Sequence, residues 1–120
     1  MGAAVIVAGF GYRSGAGEES LRAALAAAGG RPDALAAPED KVPPLSGLAE
    51  ALGVPLRGVA PDDMHAQETA TRSPVSQAAR GTGSVAEACA LAAAGPGARL
   101  VGPRAVSPDR MATCALAEAP

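Results

Sequence analysis

Three glycines and one arginine follow the first apolar run of the chain and could together bind an anion. Gly9, Gly11 and Gly15 surround Arg13 in the stretch GFGYRSG. Glycine lets the backbone adopt positive φ and approach a ligand closely, and a guanidinium forms charge-assisted hydrogen bonds with carboxylates and phosphates. A helical pattern begins directly afterwards, and the free amides at a helix start add positive potential. We therefore expect an anionic ligand at this loop.

A second candidate anion site precedes another predicted helix. Gly81 and Thr82 approach the helix start at Ser84, with Arg80 beside them. Ser84 and Glu87 have the spacing of a capping box, in which a serine and a glutamate satisfy backbone amides reciprocally. Capping is thus an alternative role for Ser84, whereas Thr82 and Arg80 remain available for a ligand.

Two further polar positions are candidate ligand contacts. Lys41 follows the acidic pair Glu39 and Asp40 after the second predicted strand, where it could bind an anion or remain a solvated charge. Ser73 lies in a polar segment rich in Ser, Thr, Gly and Arg, which could close over a ligand or be a disordered surface loop.

Other site chemistry is not visible in the sequence. No Ser-His-Asp order, P-loop or metal-ligand spacing is present, so we expect neither a metal site nor a cofactor. Cys89 and Cys114 are far apart in apolar contexts, which favours buried reduced thiols. The glycines also resemble a dinucleotide fingerprint, with Glu39 or Asp40 as the ribose-binding acid, but a complete dinucleotide site needs more sheet than this chain can hold.

The pattern of apolar residues predicts the elements that position these groups. Runs typical of strands and of amphipathic helices alternate, which indicates an α/β domain spanning residues 1–120. The predicted strands are Ala3–Ala8, Ala34–Ala37, Pro55–Ala60, Arg99–Val106 and Met111–Ala117. We expect three α/β/α layers around a five-stranded, mixed and mainly parallel sheet with an antiparallel C-terminal edge strand. Its carboxyl edge would gather the candidate loops.

Composition excludes several classes of partner. The formal net charge of −2, with neither a basic run nor an aromatic stacking platform, makes nucleic acid an unsuitable partner. No apolar stretch reaches transmembrane length and the N-terminal segment lacks the form of a signal peptide, so we expect no membrane partner and a cytoplasmic location.

Several segments in order resemble one known family. GFGYRSGAG after the first strand, Lys41 after the second, LAEALGVPLRGVAP in the middle and GTGSVAEACALAAAG near the end are similar to the CobE family of cobalamin biosynthesis and to the homologous C-terminal domain of CbiG. The resemblance implies a role in building the corrin ring of vitamin B12. A precorrin is a flat apolar macrocycle fringed with carboxylates, which suits glycine backbone, arginine and helix-start amides around its rim.

The resemblance leads to three hypotheses. The first is an accessory protein that binds a precorrin or another corrinoid intermediate and carries it between pathway enzymes. The second is an enzyme acting on a precorrin, similar to the cobalt-precorrin-5A hydrolase associated with full-length CbiG, with Lys41 or a loop serine assisting proton transfer. The third is a regulatory or structural partner of the corrin-ring methyltransferases. The lack of a convergent acid–base pair in the sequence favours the first.

Overall fold

Strands and helices alternate from the first strand to the third helix, and three strands follow one another at the end of the chain. The computed structural model describes residues 4–71 and 84–120. The strands are β1 (Val5–Tyr12), β2 (Ala34–Pro38), β3 (Leu56–Val59), β4 (Arg99–Leu100), β5 (Ala105–Val106) and β6 (Ala112–Ala119). The α-helices in the described ranges are α1 (Glu18–Ala28), α2 (Ser46–Leu52), α3 (Pro61–His65) and α4 (Val85–Ala94). Two 3-10 turns, Glu39–Lys41 and Pro43–Leu45, connect β2 to α2.

The described strands form one six-stranded sheet in the order β3-β2-β1-β6-β4, with β5 also pairing with β6. β1, β2 and β3 are parallel, whereas β6 is antiparallel to β1, β4 and β5. Helices α1 and α2 pack on one face and α3 and α4 on the other. The predicted α/β class is confirmed.

Three details of the sheet differ from the expectation. Two of the pairings in the described sheet are parallel and three are antiparallel, so the sheet is mixed but not mainly parallel. The predicted strand over 99–106 is two short strands, β4 and β5, so the described sheet contains six strands instead of five. The C-terminal strand is antiparallel, as expected, but it lies inside the sheet between β1 and the β4 and β5 pair. Six of the eight residues of β6 are buried, because α1 and α4 cover its two faces. An apolar strand covered on both sides is typical of the sheet interior.

The first strand is longer than predicted and includes the first two glycines. Gly9 and Gly11 pair with Ala115 and Thr113 of β6, so the expected glycine loop is wrong in its first half. Gly9 lies beneath α4, where a Cβ would overlap the Ala86 carbonyl oxygen and come within 2.5 Å of the backbone nitrogen of Ala90. The absence of a side chain at Gly9 therefore allows α4 to pack directly on the backbone of β1.

The core consists of two apolar layers on opposite faces of the sheet. Along β1, Ala8 and Phe10 face α1 and α2, whereas Val7 faces α3 and α4. The buried residues that complete the first layer include Leu21, Ala24, Leu35, Leu45, Leu48 and Cys114. Those that complete the second include Ala34, Ala36, Val59, Met64, Ala88 and Cys89. Because most of these side chains are small, the helices and the sheet approach one another closely.

Glycines end two of the described helices. Gly29 after α1 and Gly53 after α2 adopt left-handed backbone conformations, with φ of 79° and 69°. The amide of Gly29 donates to the carbonyl of Leu25, which satisfies one of the last carbonyls of α1. Both cysteines are buried and reduced, as predicted. Burial raises the pKa of the Cys114 thiol to about 12, so the sulfur stays protonated at neutral pH.

Replacing Gly9 tests the packing of α4 on β1. We expect Gly9→Ala to lower the free energy of unfolding by about 3 kcal/mol, because the added methyl group meets helix backbone that cannot move independently. Gly102→Ala is the matched control, since a Cβ at Gly102 meets no atom within 4 Å. Guanidinium denaturation of both variants measures the difference. Equal stability of the two variants would contradict the packing assigned to Gly9.

Candidate functional site

The carboxyl ends of the three parallel strands lie at one edge of the sheet. Tyr12, Pro38 and Val59 are the last residues of β1, β2 and β3, and parallel pairing places them on the same side. The segment 13–17 and the turns at 39–45 begin here. Helix α4 also starts at this edge, because a Cβ on Gly11 would lie 3.4 Å from the Cβ of Val85. The described parts of all three predicted connections thus meet at what we call the carboxyl edge, the usual ligand position in open α/β sheets.

Tyr12 at the end of β1 contacts Lys41 in the turn after β2. The hydroxyl of Tyr12 donates a hydrogen bond of 2.8 Å to the carbonyl oxygen of Lys41. The ammonium nitrogen of Lys41 lies 4.6 Å from the centre of the Tyr12 ring, within the range of a cation–π interaction. Tyr12 therefore holds both the backbone and the charge of Lys41 beside the end of β1. The sequence analysis did not single out Tyr12, although it is the only tyrosine of the chain.

Arg13 directly follows β1 and is exposed. Its amide donates to the carbonyl of Met111 over 2.8 Å, which fixes the backbone against the start of β6. Its guanidinium has no hydrogen-bond or ion-pair partner among residues 4–71 and 84–120. Gly15 has a φ of 90°, and no atom lies within 4 Å of where its Cβ would be. The loop from Arg13 to Gly15 therefore presents an unpaired cation on an open turn.

Negative charges lie beside these cations. Glu39 and Asp40 are exposed on the turn that carries Lys41. At the start of α1, the carboxylate of Glu18 is bound by Arg22 at 2.8 Å. Because positive and negative side chains are both present, the carboxyl edge does not produce a broad positive field that attracts anions. It is instead suited to contact individual anionic groups next to Arg13 and Lys41.

The glycines of the predicted loop differ in their surroundings. Gly15 is exposed, whereas Gly9 is buried under α4 and Gly11 is half-buried against Val85 and Thr113. In a dinucleotide-binding loop the glycines lie between strand and helix, so this arrangement differs from that motif.

Ser84 caps α4, as the capping-box pattern predicts. It is buried, and its Oγ accepts a 3.3 Å hydrogen bond from the amide of Glu87. The other half of the box differs, since the carboxylate of Glu87 binds two other segments of the chain. The remaining predicted contacts of this region lie outside the described residues: Ser73, Arg80, Gly81 and Thr82.

The carboxylate of Glu87 is fully buried and accepts three hydrogen bonds of 2.7 Å. Oε1 accepts from the amide of Thr71, and Oε2 accepts from the hydroxyl of Thr71 and from the amide of Arg104. The sequence analysis assigned Glu87 only to capping. The sequence did contain a signal for this role, because Glu87 is the single acidic residue among the apolar residues of α4. An acidic side chain on a buried helix needs hydrogen-bond partners.

Asp109 organises the turn between β5 and β6. It accepts hydrogen bonds from the hydroxyls of Ser107 (2.6 Å) and Ser20 (2.5 Å) and from the amide of Met111 (3.0 Å). These bonds, with that from Ser107 the strongest influence, lower the pKa of the Asp109 carboxyl below its ordinary value. The Ser20 contact ties the turn to α1. By accepting from the amide of Met111, Asp109 also supports the residue whose carbonyl accepts a hydrogen bond from the amide of Arg13.

The described residues contain neither a candidate metal site nor a helix that could span a membrane. Within 4–71 and 84–120, no group of three or more His, Cys, Asp or Glu side chains is arranged to hold a metal ion. None of the helices in these two ranges is long and apolar enough to cross a membrane.

Comparison with known proteins identifies the family. The model of the family described as Cobalamin synthesis G C-terminus matches residues 6–117, so the chain belongs to this family of cobalamin biosynthesis proteins. No curated protein matches the chain.

Solved structures agree with this assignment. The chain is similar to CobE, a protein from the cobalamin (vitamin B12) biosynthetic pathway, with 38% identity over 96% of this chain and 90% of that one and a TM-score of 0.84. It is also similar to the cobalamin biosynthesis protein chiG from Agrobacterium tumefaciens, with 35% identity over 94% and 97% of the two chains and a TM-score of 0.66. A putative cobalamin biosynthesis protein G homolog from Sulfolobus solfataricus shares the fold, with a TM-score of 0.74 and 20% identity over 99% of this chain and 38% of that one.

The role of Asp109 gives a pH-dependent prediction. Because its folded-state pKa is below the ordinary value of 3.8, ionised Asp109 stabilises the fold above that pH, and this contribution is lost as the pH falls through the folded-state pKa. We expect Asp109→Asn to be less stable than the wild type at pH 7 and to differ from it less at pH 2. Guanidinium denaturation midpoints at both pH values measure this change. A difference that stays constant with pH would contradict the assigned role.

Proposed function

We propose that this protein binds a precorrin or another corrinoid intermediate at the carboxyl edge and acts as an accessory protein or carrier in cobalamin biosynthesis. The observation that supports this proposal most is the guanidinium of Arg13, which has no partner among the described residues. Arg13 lies next to Tyr12, whose ring is under the Lys41 ammonium. Membership of a cobalamin biosynthesis family supports the choice of a corrinoid ligand.

The chemistry of the ligand suits these residues. Precorrins carry acetate and propionate groups around a flat ring, so separate carboxylates can reach separate cations. Arginine binds a carboxylate through two parallel hydrogen bonds, whereas lysine offers a compact charge. Arg13 on an open turn and Lys41 held by Tyr12 would therefore bind two carboxylates of one macrocycle. Because Tyr12 restrains Lys41 before the ligand arrives, less conformational entropy is lost on binding.

Substitution of the two cations tests this proposal. We expect Arg13→Ala and Lys41→Gln each to weaken binding of uroporphyrin, a flat tetrapyrrole fringed with carboxylates, by about 1–3 kcal/mol, because each removes a charge-assisted contact. The chain has one tyrosine and no tryptophan, so its intrinsic fluorescence comes from Tyr12 at the proposed site. Quenching of that emission during a titration measures the dissociation constant.

Arg31→Ala is the control for the loss of a positive charge. Arg31 is exposed before β2, at the opposite end of that strand from Lys41, and we expect its replacement to leave the dissociation constant within about twofold of the wild type. Equal affinities for the wild type, Arg13→Ala and Lys41→Gln would remove the carboxyl edge as the binding site.

Co-expression with the earlier enzymes of the pathway separates a carrier from an enzyme. A carrier retains a coloured intermediate through gel filtration, and the absorption spectrum of the purified protein is that of the supplied intermediate. An enzyme changes the spectrum of that intermediate with time. Capture of a ring methyltransferase without any pigment would instead support a regulatory or structural partner.

A further inference from the structure

Glu87 connects three distant parts of the chain at the start of α4. Its two carboxylate oxygens accept hydrogen bonds from the backbone amides of Thr71 and Arg104, and Oε2 also accepts from the hydroxyl of Thr71. The side chain is fully buried. The segment after α3 and the connection between β4 and β5 are thereby attached to the first turn of one helix.

The buried carboxylate of Glu87 carries a desolvation cost as well as its hydrogen bonds. Removing a charge from water costs several kcal/mol, and hydrogen bonds offset that cost only in part. The described neighbours of Glu87 along α4 are alanine, valine, cysteine and leucine, which shows that this helix packs through small apolar side chains. An apolar residue would avoid this desolvation cost, but it would leave the amides of Thr71 and Arg104 without their acceptor. What a carboxylate adds is a defined position for the backbone groups that it binds.

Glu87 also fixes the backbone of Arg104. The amide of Arg104 lies 2.7 Å from Oε2, so its backbone is held against the first turn of α4, and that turn packs beside Gly11 at the carboxyl edge. The next residue, Ala105, pairs with Cys114 of β6, which is itself paired with Phe10 near the end of β1.

The side chain of Arg104 has the properties of a binding group. The residue is half-buried, and its guanidinium has no hydrogen-bond or ion-pair partner in the part of the chain that the structure describes. Arg99, five residues earlier, differs because its guanidinium is bound to Glu118. A guanidinium that has no partner among the described residues, on a backbone fixed by a buried carboxylate, is prepared to accept an external anion.

We propose that Arg104 is a third cation of the tetrapyrrole site and that Glu87 is the positioning residue that holds it there. This inference rests on the proposed function and extends the site from the Arg13 and Lys41 side of the carboxyl edge to the start of α4. The ligand group recognised by Arg104 is a further carboxylate of the same macrocycle.

Titration with uroporphyrin, followed by Tyr12 fluorescence, tests the role of Arg104. We expect Arg104→Ala to raise the dissociation constant about tenfold and Arg104→Lys to raise it less, because lysine keeps the charge but loses the paired hydrogen bonds. Arg31→Ala serves again as the charge control and is expected to stay within about twofold of the wild type.

A double-mutant cycle tests the positioning role of Glu87. Glu87→Gln replaces one accepting oxygen by an NH2 group, which cannot bind a backbone amide, so either Thr71 or Arg104 loses its partner. We expect Glu87→Gln to raise the dissociation constant about fivefold in the wild-type background and by less than twofold in the Arg104→Ala background. A merely structural role gives the same penalty in both backgrounds and overturns the assignment. If Glu87→Gln does not fold, Glu87→Asp, which keeps the charge but shortens its reach, takes its place in the cycle.

The outcomes separate this inference from the function on which it rests. Binding that is weakened by Arg13→Ala but not by Arg104→Ala overturns the inference and leaves the proposed function intact. Absence of uroporphyrin binding by the wild type, at a concentration where the protein is folded by circular dichroism, overturns both.

Discussion

The direct contact of α4 with the backbone of β1 at Gly9 is the constraint on which the rest of this structure depends. A Cβ at this position would enter the backbone of the helix, so the separation of helix and strand is determined by main-chain atoms. The chain has few large side chains, with one Phe, one Tyr and no Trp, and its core relies on small side chains in close contact. This packing also places the first turn of α4, with Ser84 and Glu87, beside the carboxyl ends of the parallel strands.

The carboxyl edge combines restrained and unpaired polar groups. Tyr12 restrains Lys41, the Asp109 turn supports the backbone that holds Arg13, and Glu87 holds the backbone of Arg104. In each case a hydrogen bond to the main chain fixes the position, while the charged ends of Arg13 and Arg104 have no partner among the described residues. Such an arrangement is expected of a binding site, since its polar groups are positioned before the ligand arrives. The family assignment places the protein among those of cobalamin biosynthesis.

Much of the fold could be predicted because its signals are local. Helix α1 begins after Gly17 and ends at Gly29, and α2 ends at Gly53, as glycine caps and apolar spacing indicate. The extent of β1 could not be predicted, because a glycine in a strand and a glycine in a loop look alike in sequence. The interior position of β6 was also missed, since strand order depends on contacts between residues about one hundred positions apart, such as Gly11 with Thr113.

By itself, the sequence determined the alternation of elements, the helix ends, the buried reduced cysteines and the family, because these follow from neighbouring residues and short motifs. It also identified Arg13 and Lys41 as candidate cations. Only the tertiary structure decided that Gly9 serves helix packing, that Tyr12 holds Lys41 and that Glu87 binds Thr71 and Arg104. The physical reason is that each of these contacts forms when the packed sheet and helices bring together residues that are distant along the chain.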